Sequence, residues 1–248
     1  EGVSVEEAVE NIDIGGPAMV RSAAKNYRDV AVVVSPSRYD AVLADIGDNL
    51  SAHQGQVSLS LRKALAGEAF AHCAHYNAVI SDYFQASVVD SESEAFSPVL
   101  NMRMTKVMDL RYGENPHQSA ALYHPGGEGR VCDYQQLQGK PLSYNNFLDM
   151  EAAFQIVQQF EEPGSVVIKH TNPCGAAIGE TLSIAYQRAY EGDRVSAFGS
   201  IIGFNRPVDA DVANLVSSLF VEVIIAPAFD DEALSILSKK TQLRLVTM

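Results

Sequence analysis

"SVVIKHTNPCGAAIGETLSIAYQRAYEGDRVSAFGSIIGFN", residues 165–205, decides how this chain folds. Residues 165–168 form an apolar run of strand character, about 180–191 follow a helical period, and about 198–204 form a second apolar run. The alternation continues on both sides. Upstream, a helix over 149–160 would carry Met150, Ala153, Phe154, Val157 and Phe160 on one face. Downstream come a helix at about 209–219, a strand "VEVIIAP", a helix "DDEALSILSKK" and a last strand "LRLVTM". Strands separated by helices of about 10–15 residues imply βαβ units. Continuous apolar strands such as "VVI" and "VIIA" fit a sheet covered on both faces. The expected class is α/β: a mainly parallel, layered sheet with flanking helices.

The front of the chain is organised differently. "VEEAVENI" reads as a short amphipathic helix, and "IGGPAMVRSAAKN" as a second helix with Pro17 near its start. "DVAVVV" reads as a buried strand, and Ser35-Pro36 opens a helix to about Asp45. The polar stretch "GDNLSAHQGQ", residues 47–56, reads as a domain boundary, giving expected domains of 1–50 and 51–248. A long helix is expected from Ser58 to about Phe84, then a linker over 85–98 and a less regular stretch to Asn146. The first residues are already in helical register and the last lie on a strand, so both ends read as cut from something longer.

Composition excludes several roles. A net charge of −13 offers no basic field for a nucleic-acid backbone, though it leaves room for a small anion held by a few local donors. No apolar run approaches the roughly 18–20 residues of a membrane span, and no signal peptide is evident. Cys73, Cys132 and Cys174 are too few and too scattered for a disulfide framework, which points to a reducing cytoplasm.

Ligands of parallel sheets bind beyond the strands' carboxyl ends, so the strand-end loops are the candidate sites. The first delivers Lys169 and His170 side by side, then Thr171-Asn172-Pro173-Cys174-Gly175. Imidazole exchanges a proton near neutral pH, and an adjacent ammonium stabilises a developing oxyanion. That pair suits acyl or formyl transfer to a weak amine; by itself it is more often a loop histidine beside a surface lysine. Gly199 permits close backbone approach to a ligand, and Glu222 supplies a carboxylate. "NPCG" is half of a zinc-deaminase signature, but a second cysteine and an upstream His-x-Glu are missing. "HCAH", residues 72–75, reads as a packed Cys73 flanked by polar-face His72 and His75 rather than as a metal site.

"VENIDIGGPAMVRSAAKN", "DLRYGENPHQ", "LSYNNFLDMEAA", "IKHTNPCGAAIG", "DRVSAFGSIIGFN" and "VEVIIAPAFDDEAL" occur in that order along essentially the whole chain. Together they resemble the bifunctional purine-biosynthesis enzymes that join AICAR (5-aminoimidazole-4-carboxamide ribonucleotide) formyltransferase to IMP cyclohydrolase. The resemblance implies the end of a smaller α/β cyclohydrolase domain over 1–50. It implies the first part of a formyltransferase domain, similar to the cytidine-deaminase fold, over 51–248. The family's phosphate-binding loops and folate contacts would lie in segments outside this stretch. The implied chemistry is transfer of a formyl group from 10-formyltetrahydrofolate to AICAR, giving FAICAR, and ring closure to IMP, without a metal. By the same resemblance His170 would be the base, Lys169 the transition-state stabiliser, and Arg111, Tyr112, His117, Asn146, Gly199 and Glu222 nucleotide contacts. Lys25 would move a proton in ring closure, with Asp13 and Ile14 touching the nucleotide; read alone, Lys25 is a surface helix lysine. Partners would be AICAR, FAICAR and IMP, with a homodimeric, cytoplasmic protein and neither nucleic acid nor membrane. Two other readings stay open: a catalytically inactive nucleotide-binding or structural fragment, and a stand-alone nucleotide hydrolase or deaminase.

Overall fold

The computed structural model describes residues 3–48, 55–87, 96–125 and 133–248. Two compact units divide at 103/104. The expected boundary stretch 47–56, the linker 85–98 and Cys132 lie wholly or largely outside the described residues.

The first unit, Glu1–Arg103, is helical: α1 (Val5–Glu10), α2 (Gly15–Lys25), a 3-10 turn (Pro36–Arg38), α3 (Tyr39–Asp48) and α4 (Leu59–Ser87). Ser4 caps α1 by accepting the Glu7 amide at 3.1 Å. Its core is built on small residues, Ala24 of α2 against Ala66 and Ala69 of α4, with Val20, Tyr27, Val32 and Val34 packed around them. The expected strand at 29–34 does not form; residues 30–35 have no regular secondary structure. A strand must pair its peptide groups with a neighbouring strand, and the described residues of this unit contain none. The apolar run instead lays Val32 and Val34 onto the helices. Cys73 is buried with His72 and His75 exposed beside it, so "HCAH" is a packed cysteine on a helix face, in line with the sequence.

The second unit, Met104–Met248, opens with an antiparallel pair that the sequence did not announce, β1 (Thr105–Leu110) and β2 (Ala120–His124). There follow β3 (Gln135–Gln138), α5 (Tyr144–Val157), β4 (Gly164–Lys169), β5 (Asn172–Ile178), α6 (Leu182–Gly192) and β6 (Ser200–Phe204). The unit ends with α7 (Ala210–Ser217), β7 (Val221–Ala226), α8 (Asp231–Leu237) and β8 (Arg244–Thr247). Ser143, Thr181, Asp209 and Asp230 start the helices α5 to α8, each side chain accepting an amide three residues on. Such caps contribute about 1 kcal/mol apiece.

Six strands form one sheet in the order β3-β8-β7-β6-β4-β5. The α/β layering is as expected, but the sheet is mixed. Only β6-β7 and β7-β8 run parallel; β3-β8, β4-β6 and β4-β5 are antiparallel. The reason is local: the chain reverses at His170–Thr171 and returns as β5 beside β4, where a loop was expected. Helices α6, α7 and α8 cover one face through Tyr186, Val212 and Leu237 against Val167, Ile202 and Ile224. Helix α5 covers the other, with Met150 and Ala153 on Val166, Ile168, Ile201 and Val223. Apolar side chains therefore point both ways along each central strand.

Gly175 shows how closely the layers meet. A Cβ there would lie 1.9 Å from the Ala189 carbonyl oxygen of α6. Gly175→Ala should thus overpack the β5–α6 contact and cost about 1–3 kcal/mol, seen as a lowered denaturant midpoint. Gly67, in mid-α4, is the opposite case: a Cβ added there would meet nothing within 4 Å. Its replacement by alanine should gain about 0.5–1 kcal/mol and raise the same midpoint.

Candidate active site

A cleft of about 400 Å³ opens in the second unit between the start of α5, the β4–β5 turn and the loops before β6 and β7. Tyr112, Asn146, Lys169, His170, Gly199 and Glu222 all line it. Sequence reasoning places the site beyond the carboxyl ends of a parallel sheet, and the structure corrects this. The carboxyl end of β4 meets the amino ends of β6 and β7, because β4 runs against β6. Lys169 comes from the end of one strand, while Gly199 and Glu222 stand at the beginnings of two others.

Lys169 and His170 emerge from a strand that is buried from Gly164 to Ile168 only through its apolar and small residues. Lys169 Nζ donates to the Phe198 carbonyl, fixing the ammonium and leaving two of its three donors. His170 and Thr171 are the two residues of the hairpin turn, with φ of 52° and 63°. Two-residue turns with positive φ at both positions match the twist of a hairpin but usually recruit Asn-Gly. Here a histidine and a β-branched threonine occupy them. Thr171 Oγ1 donates to the His170 carbonyl at 2.6 Å and Asn172 Nδ2 to the same oxygen at 2.9 Å. The Thr171 amide donates to Asp149 Oδ1 at 2.7 Å.

The opposite wall is built from loop and strand ends. Asp193 accepts the Val195 and Ser196 amides and the Ser196 hydroxyl, and these bonds, the hydroxyl's foremost, hold its carboxyl below the usual range. That loop runs into Phe198 and Gly199. Gly199, at φ 72°, donates its amide to the Phe220 carbonyl at 2.8 Å, and the Phe198 and Phe220 rings meet at 5.1 Å. Ser200 pairs with Val221, yet Ile201 pairs with Val223, so Glu222 is the extra residue of a β-bulge. Val221 consequently packs on the α6–α8 side and Val223 on the α5 side. Residues two apart on an unbroken strand would share a face.

The bulge delivers the Glu222 carboxylate to α5, where Asn146 Nδ2 donates to Oε2 at 3.2 Å. Asn146 is also half of a capping box: its Oδ1 accepts the Ser143 amide at 3.1 Å and hydroxyl at 3.0 Å. With its oxygen and one N–H used, this amide has its orientation set and one N–H left. Behind Glu222 lies Arg244 of β8, a buried guanidinium 3.6 Å from Oε2 that also donates to the Lys140, Pro141 and Glu222 carbonyls. Burial pulls the Arg244 guanidinium down from its usual value, and Glu222 works against that shift.

The other expected residues fall elsewhere. Arg111 ends the β1 edge with its guanidinium 5.5 Å from the Tyr112 ring centre, outside the cleft lining. His117 is exposed in the turn between β1 and β2 and does not line the cleft. Asp13, Ile14 and Lys25 belong to the first unit. Asp13 Oδ1 accepts the Gly16 amide at 2.9 Å at the start of α2, Ile14 is exposed, and Lys25 is exposed at the end of that helix. Among the described residues no group of three or more His, Cys, Asp or Glu side chains is arranged to hold a metal, and no helix is long and apolar enough to cross a membrane. Sequence reasoning overlooked Asp149, Ser143, Phe198, Phe220 and Arg244. The one usable signal was the spacing of Asn146 and Asp149, one turn apart on a helix.

Known proteins match the chain over nearly its whole length. The family described as the AICARFT/IMPCHase bienzyme matches residues 23–248. Two curated relatives, each a bifunctional purine biosynthesis protein PurH from a strain of Desulfitobacterium hafniense, are 50% identical over 250 residues. The match takes in 99% of this chain and 47% of each relative, so the chain spans about half the length of the relatives it matches. On the extent of the family match and this identity, the chain belongs to the AICARFT/IMPCHase bienzyme family.

Proposed function

We propose that the cleft binds AICAR and serves formyl transfer from 10-formyltetrahydrofolate in purine biosynthesis. The observation that carries the reading is the convergence of Lys169, His170, Asn146, Gly199 and Glu222 on one cleft in a chain of this family. The AICAR 5-amino nitrogen attacks the formyl carbon while His170 removes its proton. A tetrahedral oxyanion forms and is stabilised by the Lys169 ammonium. The bond to the folate N10 then breaks, the proton passes to that nitrogen, and FAICAR and tetrahydrofolate leave.

Glu222 and Asn146 offer an acceptor and a donor whose orientations are already fixed, suited to the hydroxyls or carboxamide of the nucleotide. Tyr112 adds an aromatic edge, with Arg111 and His117 as further nucleotide contacts and the Gly199 backbone as the closest approach. In the same reading residues 1–50 are the C-terminal part of the cyclohydrolase domain and 51–248 the N-terminal part of the formyltransferase domain. There Lys25 would transfer a proton as the carboxamide nitrogen of FAICAR closes on the formyl carbon and water is lost, giving IMP, with Asp13 and Ile14 touching the nucleotide. A homodimer in the cytoplasm completes the proposal.

Two measurements test it. Calorimetric titration of this chain with AICAR should give binding that weakens at least about tenfold in a Lys169→Ala, His170→Ala double variant, the loss of two ligand-facing polar contacts. A folded chain that binds no AICAR, or binds it equally after the double change, removes the nucleotide reading. In a formyl-transfer assay of the full-length protein His170→Ala should lower kcat by at least about 100-fold, the usual contribution of a positioned base. Turnover retained by that variant excludes His170 as the base.

A further inference from the structure

We infer that Asp149 is a positioning residue that holds the His170 turn in its productive conformation; the kinetic part of this inference rests on the formyl-transfer reading. His170 and Thr171 both sit in the left-handed region, which histidine enters more readily than most residues and a β-branched threonine least of all. A conformation of that kind persists only when its surroundings over-determine it. Two of the turn's hydrogen bonds, from Thr171 Oγ1 and Asn172 Nδ2 to the His170 carbonyl, lie inside the hairpin and move with it. Among the described residues, the bond that reaches the turn from another element is the one from the Thr171 amide to Asp149 Oδ1, at 2.7 Å.

Asp149 is well placed to act as an anchor. It stands on α5 next to Met150, which is fully buried against the sheet, and one turn beyond Asn146, whose amide holds Glu222. One rigid helix thus fixes both walls of the cleft, the Glu222 carboxylate through Asn146 and the His170 backbone through Asp149. The carboxylate is an ideal partner for a backbone amide that has no strand neighbour inside a two-residue turn. It acts through the turn, not on the reacting atoms.

The test is a cycle of Asp149→Ala, Thr171→Gly and the double variant, with Asp149→Asn as the conservative comparison. Glycine adopts positive φ without strain, so Thr171→Gly should make the anchor dispensable. Two readouts apply: the side-chain NMR signals of His170, which need no substrate, and kcat and KM for formyl transfer by the full-length protein. Asp149→Ala should shift or broaden the His170 signals and lower kcat by about 30- to 100-fold, the scale of a 1 Å misplacement, with KM within about threefold. Asp149→Asn keeps an acceptor oxygen and should return kcat to within about threefold of the parent. In the Thr171→Gly background the Asp149→Ala loss should shrink to less than about threefold.

Unmoved His170 signals in Asp149→Ala overturn the inference, as does an equal loss with and without Thr171→Gly. A loss in Asp149→Asn as large as in Asp149→Ala does so too, since the charge and not the anchor would then matter. If the full-length parent protein transfers no formyl group while Asp149→Ala still moves the His170 signals, the formyl-transfer reading fails and the positioning role stands.

Discussion

The two-residue reversal at His170–Thr171 governs the second unit. Because the chain turns back there, β4 lies between two antiparallel neighbours, and its carboxyl end arrives where β6 and β7 begin. A helical crossover after β4 would have sent Lys169 and His170 to the opposite edge from Gly199 and Glu222. The turn achieves this with residues poorly suited to its backbone angles. Strain of that sort costs on the order of 1–3 kcal/mol per residue and is met at functional sites more often than elsewhere.

Irregularities in the strands supply the remaining geometry. The bulge at Glu222 reverses which face the residue would occupy and aims a carboxylate at α5. A second bulge, at Cys174, lets β5 carry Pro173 on the sheet edge, where its missing donor is harmless. Around Glu222 the polar groups are committed before any ligand arrives. Asn146 is locked by the helix cap and Arg244 by carbonyls of the 140–141 segment. A cleft so built meets a ligand with little left to reorganise.

Much of this was legible in the sequence, and the parts that were not share a physical cause. Helices α2, α4, α6, α7 and α8 and strands β4, β6, β7 and β8 follow from apolar period and capping residues, which are local signals. The β4–β5 hairpin was not legible because its turn lacks the Asn-Gly or Asp-Gly signature, and a β-branched Thr171 argues against positive φ. Edge strands β3 and β5 carry glutamines or small residues with little apolar pattern. In "DVAVVV" the local signal was present but no neighbouring strand among the described residues met it. Lys169, His170 and Glu222 were singled out by chemical type at strand ends. Asp149 and Arg244 were not, because their importance arises from contacts across 22 residues in each case, with Thr171 and with the Glu222 carbonyl.

The pairing of β3 with β8 has a consequence for how the protein is made. Thr247 reaches Gln135 across 112 residues, and Gln138 bonds to the carbonyls of Leu237, Lys240 and Leu243. The β4–β5 hairpin and α6 make contacts that are local in sequence, whereas β3 cannot pair until β8 has been synthesised. Arg244 travels with β8. The backing of Glu222 therefore waits for that strand, so a nascent chain exposes His170 before Arg244 stands behind Glu222.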